Sequence, residues 1–318
     1  MDDSLRVVFW GTPEFATPAL RALIGEGFDV VGVVTQPDRP RGRSRSTLDP
    51  SPVKQVAVSE GLPVLQPEKP RDPAFLERLA ALAPDVNVVV AYGEILPRAA
   101  IDLPRHGTLN IHGSLLPRYR GAAPIQAAIL DGLDETGITI MQMVSALDAG
   151  PMLLKLTTPV APDETYGELA LRLSELGAEG IVQALSLLSM GALPPEPQDD
   201  AEATYAPKIT REMARIDWTA ASEQIARAIR AYDPAPGAFT TLGAADVKLF
   251  GSRAVPERQG EAGEVLEVEE HGMLVGCGTG AVRVAYVHPA GRRRVAALDW
   301  HQGRGVAVGD RFGAPATA

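Results

Sequence analysis

The chain has 318 residues, more than one hydrophobic core usually serves, so its length predicts two domains. Apolar residues make up 45% and charged residues 22%, which is ordinary for a globular protein and indicates neither a fibrous repeat nor global disorder. The net charge of −10 argues against indiscriminate binding to polyanions, and the excess of acid lies in residues 1–207.

The single cysteine, Cys277, permits neither an intramolecular disulfide nor a cysteine metal cluster, and no two of the five histidines have HxH or HxxxH spacing. We therefore expect no bound metal. The N-terminus lacks the basic and apolar regions of a signal peptide, and the strongest apolar run, Val86 to Tyr92, is far shorter than the roughly 20 residues that cross a bilayer. These features predict a cytoplasmic chain without a membrane segment.

The first half alternates strand-like apolar runs with amphipathic helical stretches, the pattern of a parallel sheet with helices on both faces. Strands are predicted at 5–10, at 28–35, and in LPVLQ, DVNVVVAY and TLNIH; helices are predicted after GTPEF, from Ser51-Pro52, near 73–82 and in PIQAAILDG. Two further strands flank the turn SALDAG, and a long helix spans about 166–190. The fold class is therefore α/β, a Rossmann-like, doubly wound and mostly parallel sheet.

Residues 191–207, GALPPEPQDDAEATYAP, are rich in proline and acid and are predicted to be a domain linker. Beyond them come one helix, SEQIARAIRAY, and many short β-like runs separated by glycine and proline, which predict a small β-barrel. The predicted organisation is a first domain at 1–190, the linker, and a C-terminal domain at 208–318.

GTPEF follows the first strand, where a dinucleotide-binding loop would lie. Gly11-Thr12-Pro13 provides only one of the three glycines of that motif, and its proline removes an amide donor. No P-loop motif is present either. A structural turn is favoured, and we expect neither NAD nor ATP as a ligand.

Asn110 and His112 are one residue apart on a predicted strand, so their side chains point to the same face. This spacing fits a hydrogen-bonded pair inside the sheet, which it slightly favours, and also a ligand site at the carboxyl end of the strand. Asp148 in SALDAG is, taken alone, typical of a turn aspartate. Together the three side chains provide an oxyanion donor, a proton-transfer group and a carboxylate to hold the imidazole and favour its charged form, which suits acyl transfer.

Two arginine clusters stand out from the acidic background. They are Arg39, Arg41, Arg43 and Arg45 in DRPRGRSRS, and Arg292, Arg293 and Arg294. From the residues alone, solvated loop charge and phosphate contact are both open.

The run LNIHGSLLPRYRGAAPIQAAI, followed by ETGITIMQM and LDAGPML, resembles the core of the folate-dependent formyltransferases. The similarity begins at VVFWGTPEFA, passes through SPVKQVA and VVVAYGEILP, and continues beyond the linker in TYAPKIT and IRAYDPAPGA, so it covers nearly the whole chain. IDW and the TQPDRP loop are similar to the family members that formylate methionyl-tRNA rather than small amines.

The resemblance implies that Asn110, His112 and Asp148 are catalytic. It also implies a formyltransferase fold in which the co-substrate, 10-formyltetrahydrofolate, lies beside Ser114, Leu115, Leu116 and Pro117 and against the backbone of Val90, Ala91, Tyr92 and Gly93. The loop 37–48, with Arg39, Arg41, Arg43 and Arg45, matches the family's loop for the acceptor stem of initiator methionyl-tRNA. The C-terminal barrel resembles an OB-type fold, and we expect Arg292 to Arg294 to make its tRNA contact.

The expected function is formyl transfer to the α-amino group of methionine on initiator tRNA, for translation initiation, by a monomer. Three alternatives remain: a formyltetrahydrofolate hydrolase, a formyltransferase acting on a sugar nucleotide, and a non-enzymatic tRNA-binding protein with a decayed catalytic half. The presence of all three motif residues argues against decay.

Overall fold

The computed structural model describes residues 5–41 and 47–313. The chain forms two compact units. Unit 1 comprises Met1–Gly121, Thr136–Thr158 and Ala170–Tyr205; unit 2 comprises Ala122–Glu135, Pro159–Leu169 and Ala206–Ala318. Two segments of the first 190 residues thus group with the C-terminal part, and the boundaries at 190 and 208 stay a prediction.

The strands of the first part of the chain are β1 (Arg6–Gly11), β2 (Asp29–Val34), β3 (Arg39–Arg41), β4 (Thr47–Asp49), β5 (Val64–Leu65), β6 (Val86–Val90), β7 (Thr108–His112), β8 (Arg120–Gly121), β9 (Glu135–Gln142), β10 (Met152–Pro159) and β11 (Tyr205–Ala206). Seven of them form one sheet in the order β10-β9-β7-β6-β1-β2-β5. The pairs β1–β2, β1–β6, β2–β5 and β6–β7 are parallel, whereas β7–β9 is antiparallel. The predicted mostly parallel α/β sheet is confirmed.

The helices are α1 (Thr17–Gly25), α2 (Pro52–Ser59), α3 (Pro73–Ala81), α4 (Arg98–Ile101), α5 (Pro124–Leu130), α6 (Tyr166–Ser189), α7 (Ser222–Ala231) and α8 (Ala297–Gln302). Local sequence explains where two of them begin. The side chain of Ser51 accepts a hydrogen bond from Lys54 N, that of Asp72 accepts one from Ala74 N, and a proline follows each cap. These residues satisfy amides that a helix leaves free at its first turn. In the described ranges, no helix is long and apolar enough to span a membrane.

Strands β1 and β6 lie in the middle of the sheet and carry its core. Every residue of β6 is buried, as its continuous apolar sequence predicts for a central strand. Its one polar residue, Asn87, donates from Nδ2 to the Ala100 carbonyl and to Thr108 Oγ1, which offsets the cost of burying the NH2 group of the amide. Trp10 of β1 packs edge-on against Phe75 and Tyr92.

Unit 2 contains the strands β12 (Phe239–Leu242), β13 (Ala245–Val255), β14 (Val265–Glu269), β15 (Gly272–Gly276), β16 (Ala281–Pro289) and β17 (Val295–Ala296). They form an antiparallel sheet in the order β12-β13-β16-β15-β14, with β17 paired to β16. Helix α7 packs on β13 and β16, and the rings of Trp218 and Trp300 each stack with Phe312 in the core. The predicted β-rich C-terminal part is confirmed, whereas its OB-like barrel form stays a prediction.

Candidate active site

The candidate site lies where the carboxyl ends of β1, β6 and β7 meet. Gly11 of β1 is in register with Val90 of β6, and Val89 is in register with Asn110 of β7. The strand order reverses between β1 and β6, and open α/β sheets bind their ligands at such a point. The topology therefore provides a crevice beside the strand that carries Asn110 and His112.

The hydrogen bond of the His112 ring shows which of its two nitrogens carries the hydrogen in the neutral form. Its Nε2 lies 2.9 Å from the carbonyl oxygen of Tyr119. Because a carbonyl can only accept a hydrogen bond, Nε2 carries the hydrogen. Nδ1 of the same ring faces the Asp148 carboxylate, with 3.8 Å between Nδ1 and Oδ2. In the neutral ring, Nδ1 is therefore the nitrogen that can take up a proton.

The charge state of His112 depends on two opposed effects. Burial lowers the pKa of His112, while the charge of Asp148 and the Tyr119 carbonyl raise it; burial is the larger effect, so the pKa lies below its usual range. The expectation that Asp148 favours the charged ring is correct in direction. It does not outweigh burial, however, so the net shift of the pKa favours the neutral imidazole.

Asp148 is not a simple turn aspartate. Its Oδ2 accepts a hydrogen bond of 2.8 Å from the amide of Gly121, which is 27 residues away along the chain. Its backbone has a φ of 46°, a left-handed conformation that non-glycine residues rarely adopt. The hydrogen bond to Gly121 belongs to tertiary structure and holds the carboxylate near the imidazole of His112, whereas the left-handed φ is one that a turn aspartate tolerates.

The Ser-Leu-Leu-Pro segment forms a tight turn directly after β7. Ser114 is buried, and its hydroxyl donates to the Arg118 carbonyl at 2.6 Å. Thr139 supports the turn from β9, donating to the Ser114 carbonyl at 2.7 Å and accepting from Leu116 N at 3.1 Å. Leu116 packs against Met141 and Met152. Ser114 and Leu116 thus fix the shape of the turn through their side chains, while Leu115 is partly exposed.

The last residue of β6 and the three residues after it alternate between buried and exposed positions. Val90 and Tyr92 are buried, and the Tyr92 carbonyl accepts a hydrogen bond from Thr12 Oγ1 at 2.8 Å. Burial raises the pKa of Tyr92 above its usual range. Ala91 and Gly93 are exposed and have positive φ angles of 46° and 94°. Their backbone, rather than their side chains, is therefore what this segment offers to a ligand.

The first arginine cluster lies only partly within the described residues. Arg39 is exposed, and its backbone is in register with that of Asp49 in the two-stranded sheet of β3 and β4. Arg43, Arg45 and the side chain of Arg41 lie outside the described residues. At the base of this segment, Lys54 Nζ lies 2.5 Å from Asp38 Oδ2, and the hydrogen bond from Lys54 holds the pKa of Asp38 below its usual range.

The second cluster contains arginines in two different settings. All three side chains are exposed, that of Arg294 by 42%, but Arg294 has partners within the unit. Arg294 is 4.1 Å from the centre of the Phe250 ring and 3.6 Å from an oxygen of Asp233, so it stabilises unit 2. The first two side chains are the freer ones for an external phosphate.

Sequence reasoning missed the residues that hold Asp148 and Tyr119. Gln198 donates to the carbonyls of Asp148 and Gly150, and Thr204 accepts from Tyr119 N. Both lie in the segment predicted to be a linker, where composition gives no signal for such a role. Arg120, which contacts Gln198, stands within the family-like run, and its position there was the only available hint.

Two family models match the chain. The formyl transferase model matches residues 5–185, and the model of the formyl transferase C-terminal domain matches residues 208–305. A methionyl-tRNA formyltransferase of Aromatoleum aromaticum is 51% identical over 312 residues, covering 98% of both chains. One from Marinobacter nauticus is 51% identical over 281 residues, covering 88% of this chain and 90% of the relative.

Solved structures share the fold at lower identity. HypX from Aquifex aeolicus in complex with tetrahydrofolic acid superposes with a TM-score of 0.66 at 20% identity, covering 98% of this chain and 49% of HypX. A methionyl-tRNA formyltransferase from Clostridium thermocellum superposes with a TM-score of 0.59 at 16% identity, covering 80% of this chain and 95% of that one. With both family models and close relatives of nearly equal length, the chain belongs to the formyl transferase family.

Proposed function

We propose that the chain transfers the formyl group of 10-formyltetrahydrofolate to the α-amino group of methionine on initiator methionyl-tRNA, for translation initiation. The observation that supports this most directly is the short distance between His112 and Asp148, whose Nδ1 and Oδ2 atoms are 3.8 Å apart. His112 lies on the strand of Asn110, at the edge of the sheet where ligands bind. Relatives of almost the same length that are named methionyl-tRNA formyltransferases support the choice of acceptor.

Asn110 serves as an oxyanion donor in this proposal. When an amine attacks a formyl carbon, negative charge develops on the formyl oxygen, and a preorganised amide N–H stabilises that charge. Asn110 is half-buried at the carboxyl end of β7, where a donor is partly shielded from water. Removing one donor of this kind typically slows a reaction by about 100- to 1,000-fold.

His112 is the proton carrier. Its neutral ring has Nε2–H fixed on the Tyr119 carbonyl, so Nδ1 is the basic position. As the attacking amine loses a proton, Nδ1 accepts it, directly or through a water held by Asp148, and the resulting imidazolium lies beside the Asp148 carboxylate. The same proton can then pass to the N10 nitrogen of the leaving folate. Burial keeps the ring neutral before the reaction, as a base requires.

The folate donor supplies an activated formyl group, and two segments next to β6 and β7 suit its ring system. Ala91 and Gly93 present exposed backbone in left-handed conformations, and the rigid Ser114–Pro117 turn lies on the same edge of the sheet. Backbone amides and carbonyls at fixed positions are well suited to the hydrogen-bonding edge of a pterin. No metal is needed for this chemistry.

We propose that the two arginine clusters contact the tRNA. Arg39, Arg41, Arg43 and Arg45 would contact the acceptor stem, and Arg292 and Arg293, with Arg294, would add a second contact on an OB-like C-terminal domain. Clusters of this kind counter the overall charge of −10 locally. We propose that the chain acts as a cytoplasmic monomer.

The test follows a labelled formyl group from 10-formyltetrahydrofolate in three reactions, with methionyl-tRNA, with uncharged tRNA and with buffer alone. We expect N-formylmethionyl-tRNA in the first reaction and no release of formate in the other two. Formate release in buffer would indicate a hydrolase. An intact donor in all three reactions, together with tRNA binding, would indicate a binding protein. Formylation of an amino sugar nucleotide in preference to methionyl-tRNA would replace the proposed acceptor.

A further inference from the structure

The segment between the two family-model matches makes specific contacts beside the candidate site. Gln198 is half-buried, although its neighbours in the sequence are exposed. Its Nε2 donates two hydrogen bonds, one of 2.8 Å to the Asp148 carbonyl and one of 2.7 Å to the Gly150 carbonyl. Both amide hydrogens of Gln198 are therefore used on the loop that carries the carboxylate.

The other end of the Gln198 amide is fixed by Arg120. Arg120 Nε donates to Gln198 Oε1 at 3.0 Å, and because arginine only donates, the orientation of the amide is determined. Arg120 is 3% exposed and forms an ion pair of 2.7 Å with Asp200. A buried guanidinium that is bonded on two sides is a rigid anchor, so Gln198 has little freedom to release the Asp148 loop.

The loop needs such support because its own conformation is unfavourable. Asp148 has a φ of 46°, and a non-glycine residue stays in this region only when the surrounding structure holds it there. A Cβ atom at Gly150 would lie 1.8 Å from the Gln142 carbonyl oxygen, so this side of the loop is closely packed. Two hydrogen bonds from Gln198 on either side of Ala149 hold the strained turn.

The same segment also reaches the other partner of His112. Thr204 Oγ1 accepts a hydrogen bond of 2.9 Å from Tyr119 N, and the carbonyl of Tyr119 accepts from His112 Nε2. The imidazole is thus flanked by Asp148 on Nδ1 and by the Tyr119 carbonyl on Nε2, and residues 198–204 contact the backbone of both.

We propose that Gln198, anchored by Arg120, is a positioning residue that holds the Asp148 carboxylate against His112. This inference rests on the proposed role of those two residues in formyl transfer. Gln198 itself touches no reacting atom. It acts through the backbone of the Asp148 loop, and its loss should let the loop relax and the carboxylate move away from Nδ1.

The variant Gln198→Met tests this, since it keeps the length of the side chain and removes all three hydrogen bonds. The matched control is Gln55→Leu, because Gln55 Nε2 also donates to a backbone carbonyl, that of Pro50 at 3.1 Å, but on an exposed part of α2. The primary readout is the pKa of His112. It is measured by NMR on the full chain with labelled histidine, and the His112 signal is assigned by comparison with a His112→Gln variant.

We expect Gln198→Met to lower the pKa of His112 by about one unit, because an opposite charge within about 4 to 6 Å raises such a pKa by about 1 to 3 units. Single-turnover formylation should fall by about 10- to 100-fold, the usual cost of a displaced catalytic group, at nearly unchanged KM for tRNA. The control should change neither quantity. A His112 pKa equal to that of the wild type in a folded Gln198→Met protein would overturn the proposal.

Two further comparisons separate the possible causes. Gln198→Glu keeps the bond from Arg120, and hence the packing of the segment, but loses both donors; we expect it to lose formylation as Gln198→Met does. Full formylation by Gln198→Glu would overturn the positioning role. If the wild-type chain formylated no acceptor at all, the proposed function would fail, yet the pKa comparison would still decide whether Gln198 positions Asp148.

Discussion

Replacing Asp148 with asparagine removes one negative charge and keeps an oxygen that can accept from the Gly121 amide. The carboxylate lies 3.8 Å from His112 Nδ1, and the two side chains are 15% and 5% exposed, so solvent screens the pair only weakly. At about 4 Å and an effective dielectric constant of about 20, two unit charges interact by about 4 kcal/mol. Measured shifts for such pairs are about 1 to 3 pKa units.

Taking a shift of about two units, Asp148→Asn disfavours the imidazolium by about 2.7 kcal/mol, which corresponds to about a hundredfold in rate if His112 carries the proton in the transition state. The sign is fixed. Burial already lowers the pKa of His112 and Asp148 partly restores it, so the variant must lower the pKa further.

The assay combines single-turnover formylation of methionyl-tRNA with NMR titration of His112 from about pH 8 down to about pH 4, because burial places its pKa below the ordinary value of about 6.5 and the variant lowers it further. Asp102→Asn is a suitable control, because Asp102 forms an exposed ion pair with Arg98. An Asp148→Asn protein with the wild-type pKa and the wild-type rate would refute the assigned role of the carboxylate.

Three further predictions concern packing, thiol chemistry and tRNA. Gly137→Ala should lower the free energy of unfolding by about 1 to 3 kcal/mol, because the added Cβ would overlap the Leu156 carbonyl oxygen. In the control, Gly25→Ala in α1, the added Cβ meets no atom within 4 Å and should cost nothing. Chemical denaturation compares the two variants, and equal losses of stability would contradict the close packing at Gly137. Burial raises the pKa of Cys277 to about 12, so a thiol reagent at neutral pH should label it only after denaturation, and rapid labelling of the native chain would count against its burial. Replacing Arg41 and Arg43 with alanine should weaken tRNA binding and flatten its dependence on salt between about 50 and 200 mM, because fewer counterions are released, and an unchanged slope would exclude phosphate contacts by this loop.

Features set by local sequence could be predicted. The period-two pattern of TLNIH predicts a strand with Asn110 and His112 on one face, and β7 covers these residues. Ser51 and Asp72 are followed by proline, and both cap helices. A continuous apolar run placed β6 in the centre of the sheet.

Features that depend on contacts distant in sequence could not be predicted. Gln198 contacts a carbonyl 50 residues away, and nothing in a proline-rich, acidic segment indicates such a bond. The neutral state of His112 follows from its burial, which only the assembled sheet determines. Arg294 is exposed like its two neighbours in the cluster, yet its guanidinium lies over the Phe250 ring and pairs with Asp233. In each case the side-chain type was visible in the sequence and its partner was not.

In the proposed mechanism, Asn110 and His112 carry out formyl transfer rather than stabilise the strand. It is tested most directly by the single-turnover rate of N-formylmethionyl-tRNA formation in Asn110→Ala and His112→Ala proteins whose thermal unfolding and tRNA affinity have been measured in parallel. We predict a rate loss of about 100-fold or more for each variant, with tRNA affinity nearly unchanged. Near-normal formylation by either folded variant would show that the replaced side chain is not catalytic.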